Sequence, residues 1–271
     1  MKTKFSWIFY CLVSLLLSQS LSAAERFVTN ESNGFVWIQQ GKAYPILVDS
    51  REDKGVVRAV ANLQTDAGKV TGITPEIIHS VAGNRMLIIG SIENSSWIKQ
   101  LLKAGKINAA DLQGKREKYI LQMVKQPMEG VDEAVVIAGS DKRGTIYGIY
   151  ELSQQMGVSP WYFWADVPVE KHDIISIKEG IYTDGEPAVK YRGIFLNDEW
   201  PCLGNWAGDT FGGFNSKFYE TVFELVLRLK GNFMWPAMWN SAFYDDDPMN
   251  GPLADEMGIV MGTYHHEPMG Q

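Results

Sequence analysis

The run Tyr191-Arg192-Gly193-Ile194-Phe195-Leu196-Asn197-Asp198-Glu199-Trp200-Pro201 closes an apolar stretch with an amide and two carboxylates, then stops at a proline. Such a pattern predicts a buried strand opening into a loop. In α/β sheets and barrels, ligand sites collect where the carboxyl ends of the strands meet their loops, so Asn197, Asp198 and Glu199 are predicted to face a cleft. The plainer reading is that two acids solvate a turn.

Downstream, the pattern repeats. Cys202 to Gly213 reads as a glycine-rich, aromatic loop. Asn215 or Ser216 then caps a helix whose Phe218, Val222, Leu225, Val226 and Leu229 share one face, and Gly231 ends it. Phe233-Met234-Trp235 is the second predicted strand, leading through Trp239 and Asn240 into the acidic loop Asp245-Asp246-Asp247. A short helix at Leu253 to Met257 precedes a third strand, Gly258 to Gly262, which ends in Thr263-Tyr264-His265-His266-Glu267-Pro268. Three strands delivering polar residues to one edge is the arrangement of the (β/α)8 barrel. Such a barrel takes roughly 250 residues, whereas 188–271 supply 84. The expected fold is therefore a small amino-terminal α/β sandwich followed by the first three or so strands of a truncated barrel, in a fragment of a longer protein.

Upstream, strands and helices alternate from Glu25 to about Tyr182. Strands are predicted at Phe35–Gln39, Tyr44–Val48, Met86–Ile89, Tyr119–Val124 and Ala134–Ala138. Val56, Val60, Leu63 and Ala67 fall on one face of a helix, and a second helix covers Ser95 to Ala104. Gly139-Ser140-Asp141-Lys142-Arg143-Gly144-Thr145 links the last of these strands to a helix over Ile146–Met156. Strand, glycine loop and helix can cradle a phosphate, but Thr145 stands where a phosphate-binding loop needs lysine. Asp141 as a helix cap, with glycines allowing close packing, is the better reading. The aromatic run Pro160 to Asp166 reads as interdomain core, and Asp184-Gly185-Glu186-Pro187 as a linker. The expected division is 1–24, 25–187 and 188–271.

The 271 residues are 45% hydrophobic and 21% charged, a globular composition. Lys2 and Lys4, the apolar run Phe5 to Leu17 and Ser22-Ala23-Ala24 predict a cleaved secretory signal peptide, hence a secreted or periplasmic protein with no membrane insertion. Without that peptide the balance is 23 basic against 32 acidic residues, which argues against nucleic acid. Cys202 is then the one cysteine, so packing rather than an internal disulfide must stabilise the fold.

Carboxylates and amides beside tryptophans suit a carbohydrate, because acids bind hydroxyl pairs while rings cover the apolar sugar faces. Two carboxylates across a glycosidic bond can protonate the leaving oxygen and activate water. Asp198 and Glu199 are adjacent, so strand alternation points them apart, and one of the pair is expected to meet the reacting sugar. Adjacent His265 and His266 also diverge and lack zinc-protease spacing, and Asp245-Asp246-Asp247 lacks a calcium-loop pattern, so no metal is expected.

Several ordered motifs carry a resemblance. Tyr191 to Glu199, Phe223-Glu224-Leu225-Val226-Leu227-Arg228-Leu229-Lys230-Gly231-Asn232, Trp235-Pro236-Ala237-Met238-Trp239, and Leu253 to Thr263 with His265-His266-Glu267-Pro268-Met269 resemble glycoside hydrolase family 115. Ala138 to Tyr150 resembles that family's amino-terminal domain. The resemblance implies a xylan α-1,2-glucuronidase that removes glucuronic acid or its 4-O-methyl ether with inversion and requires no cofactor, from a family whose full-length members are often homodimers. Its partner would be glucuronoxylan or a xylo-oligosaccharide. Asp198 and Glu199 are the carboxylates offered here for catalysis, while the resemblance implies sugar contacts for this first-strand motif and an acid and base on later barrel strands. Asn197, Trp239, Asn240 and Glu267 are expected to contact sugar, with Arg192, His265 and His266 as the cations for a uronate. A non-catalytic polysaccharide-binding protein is the alternative that the same residues allow.

Overall fold

The computed structural model describes residues 26–196 and 199–262. The predicted signal peptide lies outside these residues, as do Asn197, Asp198, His265, His266 and Glu267. Strands β1 (Val28–Thr29), β2 (Phe35–Gln39), β3 (Lys42–Ala43) and β4 (Ile46–Val48) lead into helix α1 (Lys54–Thr71). There follow β5 (Ile77–Ile78), β6 (Arg85–Ser91), α2 (Ser96–Lys103), β7 (Tyr119–Lys125), β8 (Glu133–Gly139), α3 (Lys142–Gln155), β9 (Ile174–Ile177) and β10 (Ile181–Tyr182). The rest comprises β11 (Gly193–Phe195), α4 (Gly204–Phe211), α5 (Ser216–Arg228), β12 (Phe233–Trp235), α6 (Phe243–Asp246), α7 (Asn250–Met257) and β13 (Val260–Met261).

The central sheet has the order β10-β7-β8-β6-β4-β5, with β7 alone reversed, antiparallel to both of its neighbours. Its middle strands are apolar on both faces, and alternation sorts them. Leu87 and Ile89 of β6 pack with the α1 and α3 side chains, while Met86 and Ile88 pack with Ile98 and Leu101 of α2. A sheet covered on both faces is the expected consequence. A second, antiparallel sheet of order β1-β9-β2-β3 flanks it.

The third sheet, β11-β12-β13, is wholly parallel, with Gly193 opposite Phe233 and Met234 opposite Met261. The rings of Tyr191, Phe233, Trp235 and Phe195 follow one another along one of its faces, with centroids 5.9, 6.4 and 5.2 Å apart. The β/α order from β11 to β13 is that with which a (β/α)8 barrel begins. Helix α5 buries Phe218, Val222, Phe223 and Val226, each contributing about 1.5–3 kcal/mol. The Asn215 side chain caps it by accepting from the Lys217 and Phe218 amides.

Two local expectations change. The stretch 202–213 is helical over α4, because Gly204 leaves room for the Trp200 indole: a β-carbon there would stand 2.4 Å from that ring. The acidic loop at 245–247 carries the short helix α6, and Asp247 accepts from the Ser216 and Met249 amides. These bonds, led by the Ser216 amide, hold its carboxyl below the usual aspartate value. The Asp141 cap stands: its side chain accepts from the Gly144 amide at 2.7 Å. The glycine loop is closed by packing, since a β-carbon on Gly139 would lie 2.2 Å from the Thr145 amide nitrogen and one on Gly144 2.3 Å from the Lys118 carbonyl oxygen.

The parallel sheet is docked on the α/β part through buried charges. Arg228 and Asp66 pair at 2.8 Å with side chains 2% and 1% exposed. Glu117 accepts from Asn232 and Arg192, each at 2.7 Å, and from Arg143 at 2.5 Å. Burial alone would raise the Glu117 pKa, but the bonds from Asn232 and Arg192 and the charges of both arginines outweigh it and hold the carboxyl below its ordinary value. Trp164 donates to the Thr221 carbonyl and Tyr162 to Glu224, so the aromatic run does bridge the two parts. The presumed linker is pinned as well, with Arg116 donating to the Pro187 carbonyl and Lys230 bonded to Asp184.

Candidate functional site

The carboxyl ends of β11, β12 and β13 lie side by side. The Leu196 amide bonds to the Trp235 carbonyl at 3.1 Å and the Gly262 amide to the Met234 carbonyl at 2.7 Å. The loops that leave this edge are joined by Glu199. Its carboxylate is buried, and Oε1 accepts from the Met238 amide at 3.1 Å. Oε2 is buried too, with no hydrogen-bond partner among the described residues. Trp200 adds a second tie, donating from its indole to the Trp239 carbonyl at 3.1 Å.

This edge brings together Glu199, Trp239 and Asn240 of the residues read from sequence. Trp239 and Trp200 are 53% and 46% exposed, while Glu199 is buried. Asn240 is in the left-handed region, φ 53°, which asparagine adopts more readily than most residues and which turns the chain sharply after Trp239. Trp200 was missed by sequence reasoning. Its only signal was position, as the aromatic residue between the strand-end acids and a proline.

Arg192 does not join this group, which corrects the expectation for it. It precedes β11 and so stands at the opposite, amino end of the strand. Its guanidinium donates to Glu117, to the Tyr147 hydroxyl and to the carbonyls of Lys230 and Val189. A buried carboxylate in the neighbouring part of the fold has taken the charge that a uronate was expected to meet. Among the described residues, no group of three or more His, Cys, Asp or Glu side chains is arranged to hold a metal. No helix among them is long and apolar enough to cross a membrane.

A covered α/β part docked on a parallel β/α sheet puts an acid and exposed tryptophans at the carboxyl edge, where α/β folds place their ligand sites. Residues 184–271 match the model of glycosyl hydrolase family 115, and residues 38–152 match that of the glycosyl hydrolase family 67 N-terminus. Among solved structures, the chain is similar to a family GH115 4-O-methyl-alpha-glucuronidase, BtGH115A, with specificity for decorated arabinogalactans. The two share 33% identity and a TM-score of 0.74, over 85% of this chain and 30% of that one. The family 115 match lies in residues 184–271, and the chain spans 30% of the length of that relative. It is also similar in fold to a Streptomyces plicatus N-acetyl-beta-hexosaminidase, at 12% identity and a TM-score of 0.50, over 85% of this chain and 43% of that one. No match emerges among curated proteins.

Proposed function

We propose that the chain acts as an α-glucuronidase, removing α-1,2-linked glucuronic acid or its 4-O-methyl ether from xylan with inversion at the anomeric carbon. The observation that carries this is the brace formed by Glu199 between the loops after β11 and β12, on an edge that also carries two exposed tryptophans. A buried acid that accepts from a neighbouring backbone amide fixes loop geometry. The adjacent Asp198 is then the carboxylate offered to the sugar. Inversion needs two carboxyl groups roughly 6.5–9.5 Å apart with water between them. Asp198 would be one, and its counterpart would come from elsewhere on the rim.

In this reading Asn197, Trp239, Asn240 and Glu267 hold the sugar, and His265 and His266 supply the donors for its carboxylate. The division into 25–187 and 188–271, export by the leader peptide, independence from a cofactor and assembly as a homodimer complete the proposal. One observation favours a second main chain: the relative at 33% identity is described as specific for decorated arabinogalactans.

The test is product analysis with the protein expressed from its complete reading frame, on glucuronoxylan and a decorated arabinogalactan side by side. Release of glucuronic acid from the xylan, with the product's initial anomer inverted, is the expected result. Release from the arabinogalactan alone transfers the reading to that polymer. Binding of either polymer without release sinks the enzymatic reading and leaves a polysaccharide-binding protein.

A further inference from the structure

A cavity of about 680 Å³ opens beside α4. Tyr162, Phe163, Trp164 and Asp166 of the aromatic run form one wall, and Trp206 and Thr210 of α4 form the other. Its size is that of small-molecule sites, and it lies at the junction of the two parts of the fold, where such sites recur. The walls are rigid. Trp206 packs against Trp164 and Phe211, with centroids 5.4 and 5.5 Å apart, and Trp164 packs edge-on to the buried Phe218.

Phe163 and Trp206 nevertheless keep 40% and 39% of their surface in solvent. Broad ring faces with a negative quadrupole attract the positively polarised C–H groups of a pyranose. Asp166 and Thr210 add a carboxylate and a hydroxyl to take up sugar hydroxyl groups. Among the described residues, Asp166 is the one charged side chain on the lining, which disfavours a uronate and leaves neutral sugars acceptable. Helix α4 follows directly on the turn that carries Glu199, so this cavity and the edge share one segment of chain.

We infer that this cavity binds the neutral pyranose main chain of the polysaccharide whose uronate side group is processed at the strand edge. The inference rests on the carbohydrate-acting function proposed above for its ligand class, but its test needs no turnover. Cys202 is exposed and lines the same cavity, so its alkylation rate reports occupancy. Alkylation is followed in the protein from the complete reading frame with xylohexaose, with a linear neutral galacto-oligosaccharide, and with glucuronic acid.

One or both neutral oligomers should protect Cys202, and glucuronic acid should not. Trp206→Ala should weaken that protection by about tenfold or more. Asp166→Asn should weaken it several-fold while keeping the fold, because asparagine tolerates the φ of 50° at that exposed position. Protection by neither oligomer, equal protection by glucuronic acid, or undiminished protection in both variants would overturn the inference. Uronate release is assayed separately, so protection without release sinks the proposed activity and spares the cavity, while release without protection does the reverse.

Discussion

Glu117 Oε2 accepts from Arg192 Nη2 at 2.7 Å, and through this bond a fully buried carboxylate of the α/β part holds the first strand of the parallel sheet by its amino end. The same carboxylate receives Asn232, the residue before β12. Two consecutive strands therefore start from one anchor, and their registers at the far edge follow from it.

Removing that anchor should be costly. Glu117→Ala leaves Arg192 and Arg143, 23% and 29% exposed, without their shared partner, and loss of such charged hydrogen bonds costs about 1–3 kcal/mol. Denaturant unfolding should show the loss. A change under about 1 kcal/mol would mean that the contact contributes little.

The pH dependence follows from the same group. The folded Glu117 carboxyl lies below its ordinary value, so its contribution is fully present above the unfolded value of about 4.3 and drains away as pH falls through the lowered one. Melting temperature followed from about pH 6 down to about pH 3 should fall more steeply for the wild type than for Glu117→Gln. Parallel curves would remove Glu117 from the acid response.

Arg228 and Asp66 form the second anchor. Arg228 also reaches Glu224 at 2.7 Å and lies over the Tyr150 ring. Arg228→Met alone should destabilise by about 3–5 kcal/mol, because it strands Asp66 in the interior. Combining it with Asp66→Leu should recover most of that loss, and a double-mutant cycle showing simple additivity would contradict the pairing.

Gly144 tests packing against propensity. Alanine within a helix gains about 1 kcal/mol over glycine. Here its β-carbon would stand 2.3 Å from the Lys118 backbone oxygen, and strain of that kind costs about 1–3 kcal/mol. The clash should win, so Gly144→Ala should lower the melting temperature rather than raise it.

At the strand edge, Glu199→Ala should reduce turnover about 10- to 100-fold by loosening the loops. Glu199→Gln, which keeps an oxygen for the Met238 amide, should restore most of it. Asp198→Ala should cost about 10²- to 10⁴-fold with no rescue by asparagine. If Glu199→Gln is as damaging as alanine, the acid rather than the brace is what Glu199 supplies.

Much of this was readable from the chain because the signals are local. The apolar runs of β6 and β8, the amphipathic face of α5 and the caps at Asp141 and Asn215 all depend on near neighbours. Helix α4 was not legible, since Gly204 and Gly208 depress helix propensity and packing under Trp200 overrides them. Glu117 was hidden for a different reason. It sits in the charged run Lys115-Arg116-Glu117-Lys118, which looks like solvated surface, and its partners come from positions 143, 192 and 232. Arg192 was misread on the same account, because only the fold shows that its partner already lies at the strand's amino end.

The pinning of residues 184–187 bears on how the molecule can be handled. Cutting there would leave Asp66 and Glu117 bare on one piece and Arg192 and Arg228 bare on the other, each beside an apolar face that has lost its cover. What resembles a seam along the chain is a weld in space, so efforts to express or swap either half should carry both sides of the joint together.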